Sequence, residues 1–260
     1  MPILFHSLET IAMRGATGLD TDARAAVVAA LQTLQMADGG FTGLDGQSDP
    51  YYTLFAWLGL RALGGAYDRD QLCAYMTAYR CDANPLDARC AQFCLSVESG
   101  KIRLPHLRLV TELLRGDAYG AFLSALTIGT LSRWLARLGM RRICSPDAVE
   151  RLPTPRLAAG LVLAELADVE DEACRCVLES RHCPNGGYAS APNAAADLLA
   201  TAVARFALTR GEEDVAESAR DLAFIEACWL EGGLFGASPT AMRGDAEHTF
   251  YGLLALGTCR

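Results

Sequence analysis

Apolar residues recur at helical spacing along most of the chain, and the apolar-polar alternation typical of half-buried strands is nearly absent. A first segment, about 22 to 36, is apolar on one face only, which indicates a helix with one side in solvent. The next, about 50 to 63, is apolar nearly all round, as in a buried helix. This pattern predicts an all-α protein built from couples of an outer helix and a buried helix.

The same couple can be followed through the rest of the chain. Further outer helices are predicted over about 69 to 79, 103 to 114, 131 to 139, 169 to 181 and 213 to 228, and buried helices are predicted to begin near 49, 87, 117, 154, 197 and 245. An open stack of six such hairpins would expose its apolar last helix, which carries Phe250, Tyr251, Leu253, Leu254 and Leu256. Packing against the first hairpin would hide these side chains. We therefore expect an α/α toroid in a single domain, residues 1–260.

A motif repeated three times supports the repeat architecture. The copies run from Gly39-Gly40-Phe41 to Asp49 and Thr53, from Gly186-Gly187-Tyr188 to Asp197 and Thr201, and from Gly232-Gly233-Leu234 to Asp245 and Thr249. Each predicts a tight turn, a short loop and a buried helix capped by the aspartate. The last copy alone carries a histidine, His248, between its Asp and Thr.

Composition narrows the class of protein. A formal net charge of −8, with Lys101 as the sole lysine, argues against a dedicated nucleic-acid binder. The ten cysteines include no Cys-x-x-Cys pair, and most lie in apolar helical patterns as small buried side chains. The N-terminus is a poor signal peptide, and no apolar run approaches the roughly 18 to 20 residues that span a bilayer. We expect a cytoplasmic protein with reduced cysteines, no nucleic-acid partner and no transmembrane segment.

Three segments carry a family resemblance. DGGFTGLDGQSDPYYTLFAWLGLRALG, NGGYASAPNAAADLLATAVARFAL and EGGLFGASPTAMRGDAEHTFYGLLALG resemble the repeats of protein prenyltransferase β subunits, within the wider prenyltransferase and squalene-cyclase superfamily. The resemblance covers residues 38 to 64 and 185 to 257, and the middle of the chain matches by helical pattern only. It implies a toroid, isoprenoid chemistry and a helical partner subunit of the α-subunit kind.

The resemblance also implies a zinc site, but one of the expected ligands is missing from this sequence. The β subunits hold a catalytic zinc with an Asp, a Cys two residues later and a His in the final repeat. Asp197 and His248 match the Asp and the His, so they are the candidate catalytic residues and metal ligands, but the expected Cys is Leu199. Two of the family's diphosphate-binding cations are replaced by Ala191 and Ala194, and the expected Tyr is Ala200.

Helical register predicts a set of inward-facing side chains. If the side chains of Tyr52 and His248 point inward, their equivalents in other buried helices do too, which predicts an apolar, aromatic lumen. The candidate substrate-binding residues are Tyr52, Phe55, Cys90, Phe93, Tyr119 and Tyr251. An alternative is that these residues pack as ordinary core.

Two hypotheses about function follow. The first is a divergent prenyltransferase-like or terpene-cyclase-like enzyme that binds an isoprenoid or similar lipid-like substrate, with His248 and Asp197 in its active site. The second is a catalytically degenerate toroid that serves as a lipid- or protein-binding scaffold. Asp197 and His248 favour the first, and Leu199, Ala191, Ala194 and Ala200 favour the second.

Overall fold

The computed structural model describes residues 3–81, 84–100, 111, 115, 118–126, 149–209 and 218–259, and these residues are mostly helical. The helices are α1 (Ile3–Thr17), α2 (Thr21–Thr33), α3 (Pro50–Leu63), α4 (Arg69–Tyr79), α5 (Pro85–Ser99), α6 (Ala118–Ala125), α7 (Thr154–Leu166), α8 (Glu172–Glu179), α9 (Leu198–Thr209), α10 (Ser218–Ala227) and α11 (Ala246–Thr258). A short 3-10 helix covers Val149–Arg151, and β1 (Tyr188–Ala189) pairs antiparallel with β2 (Ala196–Asp197). No helix among these residues is long and apolar enough to cross a membrane.

All six predicted buried helices are present, beginning at residues 50, 85, 118, 154, 198 and 246. The predicted outer helices correspond to α2, α4, α8 and α10, whereas the segments 103 to 114 and 131 to 139 lie almost wholly outside the described residues. The helix α1 was not predicted.

The chain forms two compact units. The terminal unit consists of residues 9–103 and 226–258 with Arg260, and the central unit of residues 1–8 and 104–225 with Cys259. In the terminal unit, α3 packs against α2, α5 and α11, so the last buried helix lies beside the first. Phe250, Tyr251, Leu253, Leu254 and Leu256 are all buried, as expected for a last helix that packs against the first hairpin. In the central unit, α7 packs against α6, α8 and α9.

Threonine hydroxyls of the buried helices form hydrogen bonds with the repeated turns. The hydroxyl oxygens of Thr53, Thr201 and Thr249 accept the backbone N–H groups of Phe41, Tyr188 and Phe235 at 2.8, 2.9 and 3.1 Å. All three threonines are fully buried. Each hydroxyl therefore satisfies a backbone donor that is out of reach of water.

The structure corrects the alignment of the third copy. In the three turns, a φ close to 90° is found at Gly39, Gly186 and Gly233, at 91°, 90° and 89°, and not at Gly232. Gly233, not Gly232, is thus the first glycine of the last turn, and Phe235 takes the place of Phe41. The predicted alignment of the third copy was wrong by one residue, because its Gly-Gly dipeptide begins one residue earlier in the turn than in the other two copies.

Each turn glycine also permits close packing on an outer helix. A Cβ atom on Gly39 would lie 2.5 Å from the carbonyl oxygen of Gln71, and one on Gly186 would lie 2.3 Å from that of Arg220. For Gly233 the neighbour is the carbonyl oxygen of Ala26 in α2, at 2.7 Å. In the first two copies the contacted helix is the next outer helix along the chain. In the last copy it is the first outer helix of the chain.

The turn at Gly187, in the central unit, is held by a buried charged network, unlike the turns of the other two copies. Asp221 is fully buried and accepts from the backbone N–H of Gly187 at 2.8 Å, and its carboxylate also pairs with Arg205 and with Nε2 of His182. The corresponding outer-helix positions in the other copies are the apolar residues Leu72 and Val27. Asp221 therefore holds the Gly187 turn, α9 and α10 together by paired charges where the other copies use apolar packing.

The close packing of α11 against α1 can be tested by substitution. Gly257 approaches α1 so closely that a Cβ atom would lie 1.8 Å from the carbonyl oxygen of Ile11. We expect Gly257→Ala to lower the free energy of unfolding by about 3 kcal/mol, because the two helix backbones must separate. Gly232→Ala is the control, since its added methyl group would meet nothing within 4 Å. Equal urea midpoints for the two variants would contradict this packing.

Candidate functional site

The three repeated aspartates cap their helices, as predicted. The carboxylate of Asp49 accepts the N–H groups of Tyr51 and Tyr52 at 2.8 and 3.1 Å. Asp197 accepts the N–H of Ala200 at 2.6 Å, and Asp245 accepts that of His248 at 2.8 Å. Capping satisfies helix-terminal donors and stabilises the anion there. These bonds place residues two and three positions after each aspartate in the first turn of a buried helix.

The ring of His248 is held by the aspartate that caps its own helix. Its Nδ1 lies 2.9 Å from Oδ2 and 3.0 Å from Oδ1 of Asp245. Because an ionised carboxylate only accepts hydrogen bonds, Nδ1 carries the hydrogen, and the neutral ring then has its lone pair on Nε2. The His248 side chain is 18% exposed and that of Asp245 8%. An oriented imidazole with a basic Nε2 can accept a proton or bind a metal ion.

A second polar pair joins the first and last buried helices. The hydroxyl of Tyr51 in α3 donates to Oε1 of Glu247 in α11, and Glu247 is buried. Sequence reasoning missed both residues. A signal was present: the position two after the capping aspartate is Tyr51, Leu199 and Glu247 in the three copies, and the last places an acid in an apolar helix.

Aromatic side chains pack directly behind this polar pair. The ring centroid of Phe55 lies 4.9 Å from that of Tyr51 and 5.2 Å from that of Tyr251. Phe250 lies 5.8 Å from Phe55, and Tyr52 lies 5.7 Å from Tyr51. Of the predicted substrate-binding residues, the structure thus brings Tyr52, Phe55 and Tyr251 into one group, which we call the aromatic face together with Tyr51 and Phe250.

The other predicted lining residues are Phe93, Cys90 and Tyr119, and of these Cys90 lies close enough to Tyr51 and Tyr251 to affect the pKa of both hydroxyls. Phe93 is buried against Trp57, with ring centroids 6.1 Å apart, and Cys90 is buried in α5. The side chain of Tyr119, in α6 of the central unit, lies outside the described residues. A lining role for Phe93, Cys90 and Tyr119 stays a prediction.

Burial and nearby carboxylates raise the pKa values of the tyrosine hydroxyls at the aromatic face. Burial, with Asp245, Glu247 and Asp49 adding to it, raises the pKa of Tyr52 to about 12. Burial also raises the pKa of Tyr51 and Tyr251, and the charge of Glu247 adds to both shifts. These hydroxyls are therefore protonated at neutral pH and act as hydrogen-bond donors. Burial likewise raises the pKa of the Cys90 thiol, which disfavours the thiolate that a metal would bind.

A known protein family matches most of the chain. The family model of the prenyltransferase alpha-alpha toroid domain matches residues 1–89 and 157–260, which is well over half of the chain. The chain belongs to the prenyltransferase α/α-toroid family. The predicted all-α toroid and the predicted superfamily are thereby confirmed. The search among curated proteins found no match.

The two predicted metal ligands lie in different units of the chain. Asp197 lies in the central unit, where it caps α9, and His248 lies in the terminal unit. Their shared role as metal ligands stays a prediction. In the terminal unit, Asp245, Glu247 and His248 each offer a donor atom, and these three atoms lie within 4.8 Å of one another. Among the described residues, Asp245 and Glu247 are the side chains close to His248 that could bind a metal ion together with it.

A double-mutant cycle tests the link between Tyr51 and Glu247. We expect Tyr51→Phe and Glu247→Gln each to lower the free energy of unfolding, with a coupling energy of about 1 kcal/mol, because the hydroxyl bonds a buried carboxyl group. The measurement is urea unfolding of the wild type, both single variants and the double variant. Strictly additive effects would show that the two side chains do not interact.

Proposed function

We propose that this member of the toroid family binds an isoprenoid or similar lipid-like chain at the aromatic face and acts on it through His248. The observation that carries the proposal is the fixed imidazole: Asp245 holds Nδ1 at 2.9 Å, at the start of the helix that supplies Tyr251 and Phe250. Family membership supports isoprenoid chemistry in general terms. The reaction class proposed is prenyl transfer or cyclisation.

The residues of the terminal unit suit the steps of such a reaction. Nε2 of His248 can remove or return a proton, and Asp245 stabilises the imidazolium that forms. The faces of Tyr51, Phe55 and Tyr251 are electron-rich, so they stabilise positive charge that develops on a carbon chain packed against them. Their apolar surface also keeps water from a reactive cation.

The donor set around His248 also suits zinc. One imidazole nitrogen and two carboxylate oxygens are ligand types that catalytic zinc accepts, with one position left for substrate or water. We propose that Nδ1 of His248 and the carboxylates of Asp245 and Glu247 hold the ion, which then takes the place of the Nδ1 hydrogen. This donor set replaces the predicted pairing of His248 with Asp197. Bound there, zinc would act as a Lewis acid on an oxygen or other nucleophile.

A second candidate function is a scaffold that binds a lipid or a helical partner without chemistry. It is favoured by Asp197, whose carboxylate caps α9 through Ala200, while Leu199 stands where the family has its zinc-binding cysteine. The two candidates differ at His248. A scaffold binds its ligand through the aromatic face and does not need the imidazole.

Metal analysis tests the zinc site. We expect the wild type, loaded with zinc and then dialysed, to keep about one ion per chain, and His248→Ala to keep none, because the imidazole is its nitrogen ligand. His6→Ala is the control, since His6 is an exposed histidine in α1. Absence of retained zinc in the wild type would remove the metal and leave His248 as an acid–base group.

Thermal unfolding tests the lipid site. We expect farnesol or farnesyl diphosphate to raise the unfolding temperature, because a ligand specific for the folded state at about 100 times its Kd adds about 2.7 kcal/mol of stability. Tyr52→Ala should weaken binding about tenfold, or about 1.4 kcal/mol, by removing part of the aromatic face. Tyr79→Ala is the control, since Tyr79 is a half-buried tyrosine of α4 outside that face. If neither compound changes the unfolding temperature, the proposed ligand class is wrong.

A further inference from the structure

The proposed metal site depends on the direction in which the Glu247 carboxylate points. Glu247 lies in the first turn of α11, two residues after the capping Asp245 and next to His248. A glutamate side chain has three rotatable bonds, and fixing them costs up to about 2 kcal/mol of conformational entropy. A carboxylate that is already held in one orientation binds an ion with a smaller loss of entropy.

A hydrogen bond from another helix holds this carboxylate. The hydroxyl of Tyr51 in α3 donates to Oε1 of Glu247. A carboxylate has about four lone-pair sites on its two oxygens, so a group that accepts this bond is still able to bind an ion. Glu247 is buried, and water therefore competes little with Tyr51 for its oxygens. The bond thus orients a candidate ligand without taking up its capacity to bind metal.

Tyr51 is itself held at its backbone and at its ring. Its backbone N–H donates to the capping Asp49 at 2.8 Å. Its ring packs edge-to-face with Phe55, at a centroid distance of 4.9 Å and an angle of 68°, and with Tyr52, at 5.7 Å and 84°. Aromatic pairs favour this geometry, so the two neighbours restrict the Tyr51 ring. The position of the hydroxyl is therefore set by α3 and does not require an ion.

From this geometry we propose that Tyr51 is a positioning residue for the metal: it does not touch the ion but orients Glu247 beside Asp245 and His248. The inference rests on the proposed function, because it names a residue of a second helix on which the same metal site depends. The three donor atoms, within 4.8 Å of one another, come from the start of α11, whereas Tyr51 comes from α3. Metal affinity is then coupled to the packing of α3 against α11.

The affinity of the whole chain for zinc, measured at one fixed pH by competition with a chromophoric chelator, tests the proposal. We expect Tyr51→Phe to raise the Kd for zinc about tenfold, the lower end of what partners of metal ligands contribute. Tyr67→Phe is the matched control and should keep the wild-type Kd. The hydroxyl of Tyr67 donates to Oε1 of Glu98 at 2.8 Å in the same unit, so this variant loses the same kind of bond away from His248. Urea unfolding of each variant identifies conditions in which all of them are folded.

A double-mutant cycle shows whether Tyr51 acts through Glu247. Glu247→Gln should itself raise the Kd for zinc, because an amide is a weaker ligand than a carboxylate. In that background Tyr51→Phe should cause no further change, since the carboxylate that it orients is gone.

Each other result has a definite meaning. A wild type that binds zinc and a Tyr51→Phe variant with the same Kd overturn this inference and leave the proposed metal site standing. An equal loss of affinity in Tyr67→Phe, or a full further loss in the Glu247→Gln background, also overturns it, because Tyr51 then does not act by orienting Glu247. Absence of zinc binding by the wild type overturns the proposed metal site, and this inference with it.

Discussion

A buried threonine hydroxyl that accepts one turn N–H is the contact on which each of the three motif copies depends. Thr53, Thr201 and Thr249 each stand four residues after a capping aspartate, so cap, helix and turn are fixed together. The turn glycine then packs against the backbone of an outer helix. Because buried backbone donors must be paired, this short set of bonds determines how each buried helix meets its outer neighbour.

The candidate site is a consequence of the contact between the first and last buried helices. Capping places Tyr51 and Tyr52 in the first turn of α3, and Glu247 and His248 in the first turn of α11. Once α3 and α11 pack, the second and third residues after each cap come together beside Phe55 and Tyr251. The same geometry that closes the terminal unit therefore assembles an imidazole, buried carboxylates and aromatic rings, and it gives the site an acidic rather than basic character.

Much of the fold could be predicted because its signals are local. The six buried helices and the three caps follow from apolar periodicity and from Asp placed before it. The errors have equally local causes. The dipeptide Gly-Gly predicts the third turn at Gly232, whereas a positive φ identifies Gly233. The helix α1 was not predicted, although its buried residues Leu4, Leu8 and Ala12 are spaced by four positions, as in an amphipathic helix.

The sequence by itself determined the repeats, the caps, the position of His248 in a helix turn and the family. These depend on residues within about one repeat of each other, where chain connectivity already holds the partners close. Tertiary structure alone decided that Glu247 bonds Tyr51, 196 positions away, and that Gly257 packs against Ile11. A periodic pattern shows that a side chain is buried but not which side chain it meets, because that choice depends on how separate helices pack.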